Sequence, residues 1–146
     1  MGILPFVSVS PIRAQIASQV AYATPQAAVY SLDVPFTKPE VDGDLNVLVL
    51  GWRDASAKVL AVSDSNGNQY QLAGGSATLG ANLLSQSVYY CPSVNAGSDA
   101  VTVIFSQPPT NPDVRILEYS GFSALDTVTA KEHMEGFPIT QLGLWG

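Results

Sequence analysis

Short apolar runs separated by turn residues set the pattern of hydrophobic and polar positions along this chain. No segment of about a dozen residues shows the capped, 3.6-residue apolar stripe of an amphipathic helix, whereas alternation with a period of two recurs. The runs predict strands at 16–22, 28–36, 45–52, 58–63, 68–73, 84–91, 100–105 and 113–119, with a ninth at 125–130. This series predicts an all-β fold, a β-sandwich of two packed antiparallel sheets.

Alternation assigns the side chains of each predicted strand to two faces. In 100–105, Val101, Val103 and Phe105 share one face. The strand at 45–52 is apolar on both faces, which predicts a central strand that is either covered twice or apposed to a partner. Apolar outer faces are where a binding surface is expected.

Turn residues separate the predicted strands. An Asp42-Gly43-Asp44 turn precedes the strand at 45–52. Asn66-Gly67 suits a type I′ turn, whose twist matches that of paired strands, and therefore predicts a β-hairpin over 58–73. The proline-rich segment 108–112 and the small-residue segment 74–82 are predicted loops.

Composition narrows the possible functions. Charged residues make up 12% of the chain and apolar residues 47%, which argues against disorder. Six basic and twelve acidic residues give a net charge of −6, which argues against a nucleic-acid groove. One histidine and one cysteine exclude a histidine-rich metal centre, an internal disulfide and a cysteine zinc site within one chain. The absence of an 18-residue apolar run predicts no membrane-spanning helix.

Four segments occur in an order that resembles a group of bacterial β-sandwich modules in large secreted or cell-surface proteins. They are GDLNVLVLGW at 43–52, VSDSNGNQYQLA at 62–73, SQSVYYCPSVNAGSDAVTVIFS at 85–106 and PDVRILEYSG at 112–121. The resemblance covers about residues 19–130 and implies an immunoglobulin-like or jelly-roll-like sandwich. It also implies an extracellular spacer, adhesive unit or carbohydrate-binding appendage.

The domain organisation predicted from these features has three parts. Residues 1–15 form a flanking segment, 16–130 the β-sandwich domain and 131–146 an atypical tail that departs from the resemblance. The apolar end of this tail is suited to add as a strand to a sheet edge. A homo-oligomer, formed through the tail or through apolar sheet faces, is therefore a further expectation.

Glu118 is the carboxylate that alternation singles out. It lies in phase with Ile116 and Val114 and should point to the apolar face, where a carboxylate must be paired or protonated. One interpretation is a general acid, with Asp54 as the second carboxylate of a glycosidase-like pair. The alternative is a structural group that accepts hydrogen bonds from loop amides or pairs with an arginine.

Aromatic and basic residues near these carboxylates are the candidate ligand-binding groups. Trp52 and Arg53 precede Asp54, and a tryptophan ring offers a stacking surface for a sugar. Tyr89 and Tyr119 are further candidates, with Tyr89 and Tyr90 on opposite faces of one strand. Core packing is the alternative for each ring.

A resident metal or cofactor is not predicted. Asp42 and Asp44 could hold a calcium ion together with backbone carbonyls, although a plain turn is the favoured interpretation. The segment Asp64-Ser65-Asn66-Gly67-Asn68 partly matches a calcium loop, but its glycine comes two positions early and no bidentate glutamate follows.

The leading functional hypothesis is a non-catalytic module at a bacterial surface. It would bind a glycan or a protein, or space larger domains. The alternative is a small hydrolase of glycosidic or ester bonds that uses Glu118 as general acid or base.

Overall fold

The computed structural model describes residues 17–73, 77–79 and 84–121. These residues form nine β-strands and no helix. The strands are β1 Ala17–Ala23, β2 Ser31–Pro35, β3 Leu45–Trp52, β4 Val59–Asp64, β5 Gln71–Leu72, β6 Ala77–Leu79, β7 Leu84–Cys91, β8 Ala100–Phe105 and β9 Asp113–Tyr119. Accordingly, no helix that could cross a membrane is found in the described part of the chain.

Two antiparallel sheets pack against each other. The six-stranded sheet has the order β1-β9-β3-β7-β5, with β6 also paired to β7, and the three-stranded sheet has the order β2-β8-β4. β3 lies in the middle of the larger sheet, which confirms the prediction of a central strand. The all-β two-sheet sandwich predicted from the sequence is therefore the observed fold.

Side chains from the inner faces of both sheets form the core between them. In β8, Val101, Val103 and Phe105 are buried, as alternation predicts. They meet the inner face of β3, where the Trp52 ring packs edge-on against Phe105 at 5.6 Å between ring centroids. Because aromatic rings bury large areas, this pair helps to join the two sheets where β3 and β8 end.

The hairpin predicted over 58–73 is wrong. β4 pairs with β8 in the smaller sheet, whereas β5 pairs with β7 in the larger one. Gly67 has a positive φ of 75°, but Asn66 does not, so the type I′ turn that needs both is not formed. Instead, Asp64 Oδ1 accepts the backbone N–H groups of Asn66 and Asn68 at 3.1 and 2.9 Å, which supports a turn that carries the chain from one sheet to the other.

The remaining differences concern strand ends and one loop. The strands predicted at 28–36 and 68–73 shorten to β2 and β5, and β6 occupies part of the predicted loop at 74–82. The predicted strand at 125–130, the flanking segment 1–15 and the tail 131–146 lie outside the described residues. The segment 108–112 is outside the strands, as its prolines predict.

Candidate functional site

Glu118 lies on the inner face of β9, 2% exposed, as alternation predicts. Its Oε2 accepts a hydrogen bond from Gln19 Nε2 at 2.6 Å, and its Oε1 accepts the backbone N–H of Val41 at 2.9 Å. Gln19 in turn donates to the carbonyl of Lys38 at 3.0 Å. The carboxylate therefore ties β1 and β9 to the loop between β2 and β3, which is the structural role named as the alternative.

Asp44 is a second buried carboxyl group, and it faces Glu118. Burial, together with the neighbouring charge of Glu118, raises the pKa of Asp44. Asp44 Oδ2 has no hydrogen-bond partner among the described residues. A shared environment of this kind favours the protonated form of Asp44, since two buried carboxylates repel each other.

Asp54 closes a turn at the opposite end of β3. Its Oδ1 accepts the backbone N–H groups of Ser56 and Ala57 at 3.0 and 2.8 Å, and its Oδ2 accepts that of Thr110 at 2.8 Å. Burial alone would raise the pKa of Asp54, but these hydrogen bonds outweigh it and lower the pKa. The carboxylate is thus held in its charged form by the turn.

The structure does not bring Asp54 and Glu118 together. Glu118 is the register partner of Asn46 at the start of β3, whereas Asp54 follows Trp52 at its end. Eight residues of extended chain span about 27 Å. A glycosidase pair needs about 5–9.5 Å between its carboxyl groups.

The predicted ligand-binding residues do not share one face of the sandwich. Trp52 is 2% exposed in the core, while Arg53 is exposed and its backbone N–H donates to the carbonyl of Thr110. Tyr89 is half-buried against the core, and burial raises its pKa. Tyr119 lies at the end of β9, in phase with the outward residues of that strand.

The outer face of the six-stranded sheet carries a largely apolar surface. Register pairing aligns one row across four strands, consisting of Val20, Leu117, Val47 and Tyr90. The adjacent row consists of Tyr22, Arg115, Val49 and Val88. Every side chain in the two rows is exposed or half-buried, and Arg115 pairs with Asp113 at 3.0 Å. We call this surface the outer apolar face.

Three further carboxylates meet between the ends of several strands. Glu40 lies in the loop after β2, Asp64 ends β4, and Asp99 directly precedes β8. One carboxylate oxygen of each lies within 4.8 Å of the others, and Glu40 and Asp99 are buried. We call this group the carboxylate cluster.

Polar side chains surround the carboxylate cluster. The side-chain amide of Asn46 donates to Glu40 Oε1 and to the Tyr70 hydroxyl. Burial and the proximity of Asp99 raise the pKa of Glu40. The pKa of Asp99 is lowered, because hydrogen bonding with Glu40 and then with Ser65 outweighs its burial. Glu40 therefore favours its protonated form, whereas Asp99 favours its charged form.

Sequence reasoning did not find the carboxylate cluster. In the sequence, Asp64 belongs to an imperfect calcium loop, and Glu40 and Asp99 lie in connecting segments where alternation assigns no face. Of the predicted calcium residues, Asp42 is exposed in the turn and Asp44 is buried beside Glu118. The prediction of calcium at those two residues stays a prediction.

Comparison with protein-family models, curated proteins and solved structures finds no match to this chain.

Proposed function

We propose that this chain is a non-catalytic binding module, and that its outer apolar face is the contact surface for another protein. The observation that carries the proposal is the pair of aligned rows on the six-stranded sheet, in which Val20 is 50% and Tyr22 68% exposed. Contiguous exposed apolar surface of this kind is typical of interaction sites.

The residue types on the outer apolar face favour a protein over a glycan. Valine and leucine occupy three of the four middle positions of the two rows, with Arg115 at the fourth, and Tyr22 and Tyr90 lie on strands at opposite sides of the aligned surface. Three strand spacings separate those two strands, about 14 Å. An aliphatic centre with tyrosines near its margin suits the apolar core of a protein interface.

The positions of the predicted catalytic carboxylates support a binding role over a hydrolase. Glu118 is enclosed by hydrogen bonds from Gln19 and Val41, and Asp54 closes a distant turn. The low share of basic residues and the resemblance to surface modules support a location outside a bacterial cell, which is part of the proposal.

Position-specific photocrosslinking in the organism that carries this gene tests the proposal. A benzophenone amino acid replaces Tyr22 on the outer apolar face, and in a matched control it replaces Tyr30, which is 61% exposed beside the smaller sheet. We expect one discrete protein adduct at position 22 and none at position 30. The substitution Val20→Glu should remove the adduct, while Leu60→Glu on the other sheet should not.

Three outcomes would contradict a protein-binding outer face. They are the absence of an adduct at position 22, identical adducts at both positions, and adducts to polysaccharide instead of protein. The last result would favour the glycan-binding alternative, which a glycan array with the same Val20→Glu variant would then measure.

A further inference from the structure

We propose that the carboxylate cluster, formed by Glu40, Asp64 and Asp99, is a binding site for one divalent cation, with Ca²⁺ as the ion that fits best. The site is independent of the outer apolar face. It joins the loop after β2 to one end of the three-stranded sheet.

The spacing of the carboxylate oxygens fits calcium. Oxygens from the three side chains all lie within 4.8 Å of one another. Ca²⁺ binds oxygen at about 2.3–2.6 Å, so ligands on opposite sides of the ion lie up to about 5 Å apart. Mg²⁺ usually keeps several waters and binds one or two carboxylates, so a site of three carboxylates favours Ca²⁺.

No basic side chain compensates the cluster within the described part of the chain. The ion pair found among the described residues joins Arg115 to Asp113 on the outer side of the larger sheet. Glu40 is 3% exposed and Asp99 7%, so water screens these charges poorly. Buried carboxylates without a cationic partner depend on hydrogen bonds, on protonation or on a bound metal to offset their charge.

Unpartnered oxygens at the cluster point to a missing ligand. Asp99 Oδ1 accepts hydrogen bonds from Ser65 and Ala100, but Oδ2 has no partner among the described residues. Asn46 is fully buried, its side-chain amide contacts Glu40, and its Oδ1 also has no partner there. Rotating this side-chain amide by half a turn would place Asn46 Oδ1 against the cluster. Carboxylate and amide oxygens are the ligands that Ca²⁺ prefers.

The backbone around the cluster is held by its own hydrogen bonds. Glu40 and Gly97 exchange backbone hydrogen bonds of 2.8 and 3.2 Å. Asp64 is fixed by the N–H groups of Asn66 and Asn68, and Asp99 by those of Ser65 and Ala100. A cation would therefore bind to positions that are already in place, at little cost in ordering.

Thermal unfolding of the metal-free protein with added CaCl₂ tests the site. Extracellular calcium sites bind with dissociation constants up to about 10⁻³ M, so the titration extends to about 10 mM. We expect the Tm to rise by about 5–10 °C when Ca²⁺ is at a hundredfold excess over its dissociation constant. Tb³⁺ used as a probe should show luminescence sensitised by Tyr70, which neighbours the site through Asn46.

Matched variants decide which residues respond. Asp99→Asn and Glu40→Gln should both lose the Ca²⁺-dependent rise and the Tb³⁺ signal. Without metal, Glu40→Gln should be at least as stable as the parent, because charge repulsion is relieved. Asp44→Asn, a buried carboxyl group outside the cluster, should keep both responses. If Asp99→Asn does not fold, the half-buried Asp64→Asn serves instead.

The cation site is refuted by either of two results. One is a parent protein whose Tm does not change with Ca²⁺, Mg²⁺ or Mn²⁺ and which gives no Tb³⁺ luminescence. The other is an equal Ca²⁺ response in the parent and in Glu40→Gln. Either result would mean that protons alone neutralise the cluster.

Discussion

Buried acidic residues define the chemistry of this protein at the scale of single residues. Glu40, Asp44, Asp99 and Glu118 are each at most 7% exposed. Glu118 and Asp99 accept hydrogen bonds from backbone N–H groups, whereas Asp44 faces another carboxylate with one oxygen unpartnered. Asp44 is therefore a residue at which charge opposes folding.

The substitution Asp44→Asn should stabilise the protein in a pH-dependent way. The pKa of Asp44 is raised in the folded state, so the folded chain binds more protons than the unfolded chain above about pH 4, and stability falls as pH rises through this range. The asparagine amide carries no charge, so this loss of stability with rising pH disappears, and its N–H group can donate to Glu118. Together the two effects should raise the free energy of unfolding by about 1 kcal/mol near pH 8.

Urea unfolding as a function of pH measures this gain. It should vanish below about pH 4, where Asp44 is protonated in both states. The exposed Asp42→Asn is the matched control and should change little. A variant that is less stable than the parent at every pH would show that Asp44 makes a favourable interaction as a carboxylate.

Turns with glycine at a positive φ mark where two of the connections between strands lie. Gly43, before β3, has a φ of 84°, and Gly67, after β4, has a φ of 75°. A β-carbon added at either position meets no atom within 4 Å, so only the backbone conformation demands glycine there. Gly51, inside β3, has equally open space but no positive φ.

Alanine substitutions at these three glycines should show whether backbone conformation or lack of space is the reason for glycine. Gly43→Ala and Gly67→Ala should each lower the free energy of unfolding by about 1–2 kcal/mol, because L-residues disfavour the left-handed region. Gly51→Ala should be neutral or stabilise by up to about 1 kcal/mol. The measurement is the urea midpoint of unfolding, compared where the dependence of free energy on urea concentration is unchanged. Equal losses of unfolding free energy at all three positions would show that positive φ does not set the cost.

At the scale of the whole molecule, the two sheets enclose one hydrophobic core. Cys91 lies on the inner face of β7, 3% exposed, and burial raises the pKa of its thiol. Its Sγ donates to the carbonyl of Ser93. As the chain contains one cysteine, this thiol reports directly on opening of the sandwich.

Thiol labelling of the native protein should be slow. If Cys91 reacts only through global unfolding, which costs about 5 kcal/mol or more in a typical domain, the native rate should be at least about a thousandfold below that of the unfolded chain. A chromogenic disulfide reagent in the presence and absence of urea provides the comparison. Native labelling at the rate of a free thiol would show that the sheets do not cover this residue.

Local alternation was enough to predict most strands and their inward residues. Val101, Val103, Phe105 and Glu118 point inward because side chains alternate along any strand, whatever its partners. The same logic set Tyr89 and Tyr90 on opposite faces. It could not state what Glu118 would meet, since Gln19 and Val41 come from distant parts of the chain.

The sequence by itself determined the all-β class, the central position of β3 and the turns at Gly43 and Gly67, because these depend on local periodicity and backbone preference. Only the tertiary structure decided that β4 and β5 belong to different sheets, since a turn that suits a hairpin also suits a crossing between sheets. Only the tertiary structure shows that Asp54 lies far from Glu118 and that the three residues of the carboxylate cluster lie close together. Both depend on contacts between residues far apart in the chain, which no local pattern encodes.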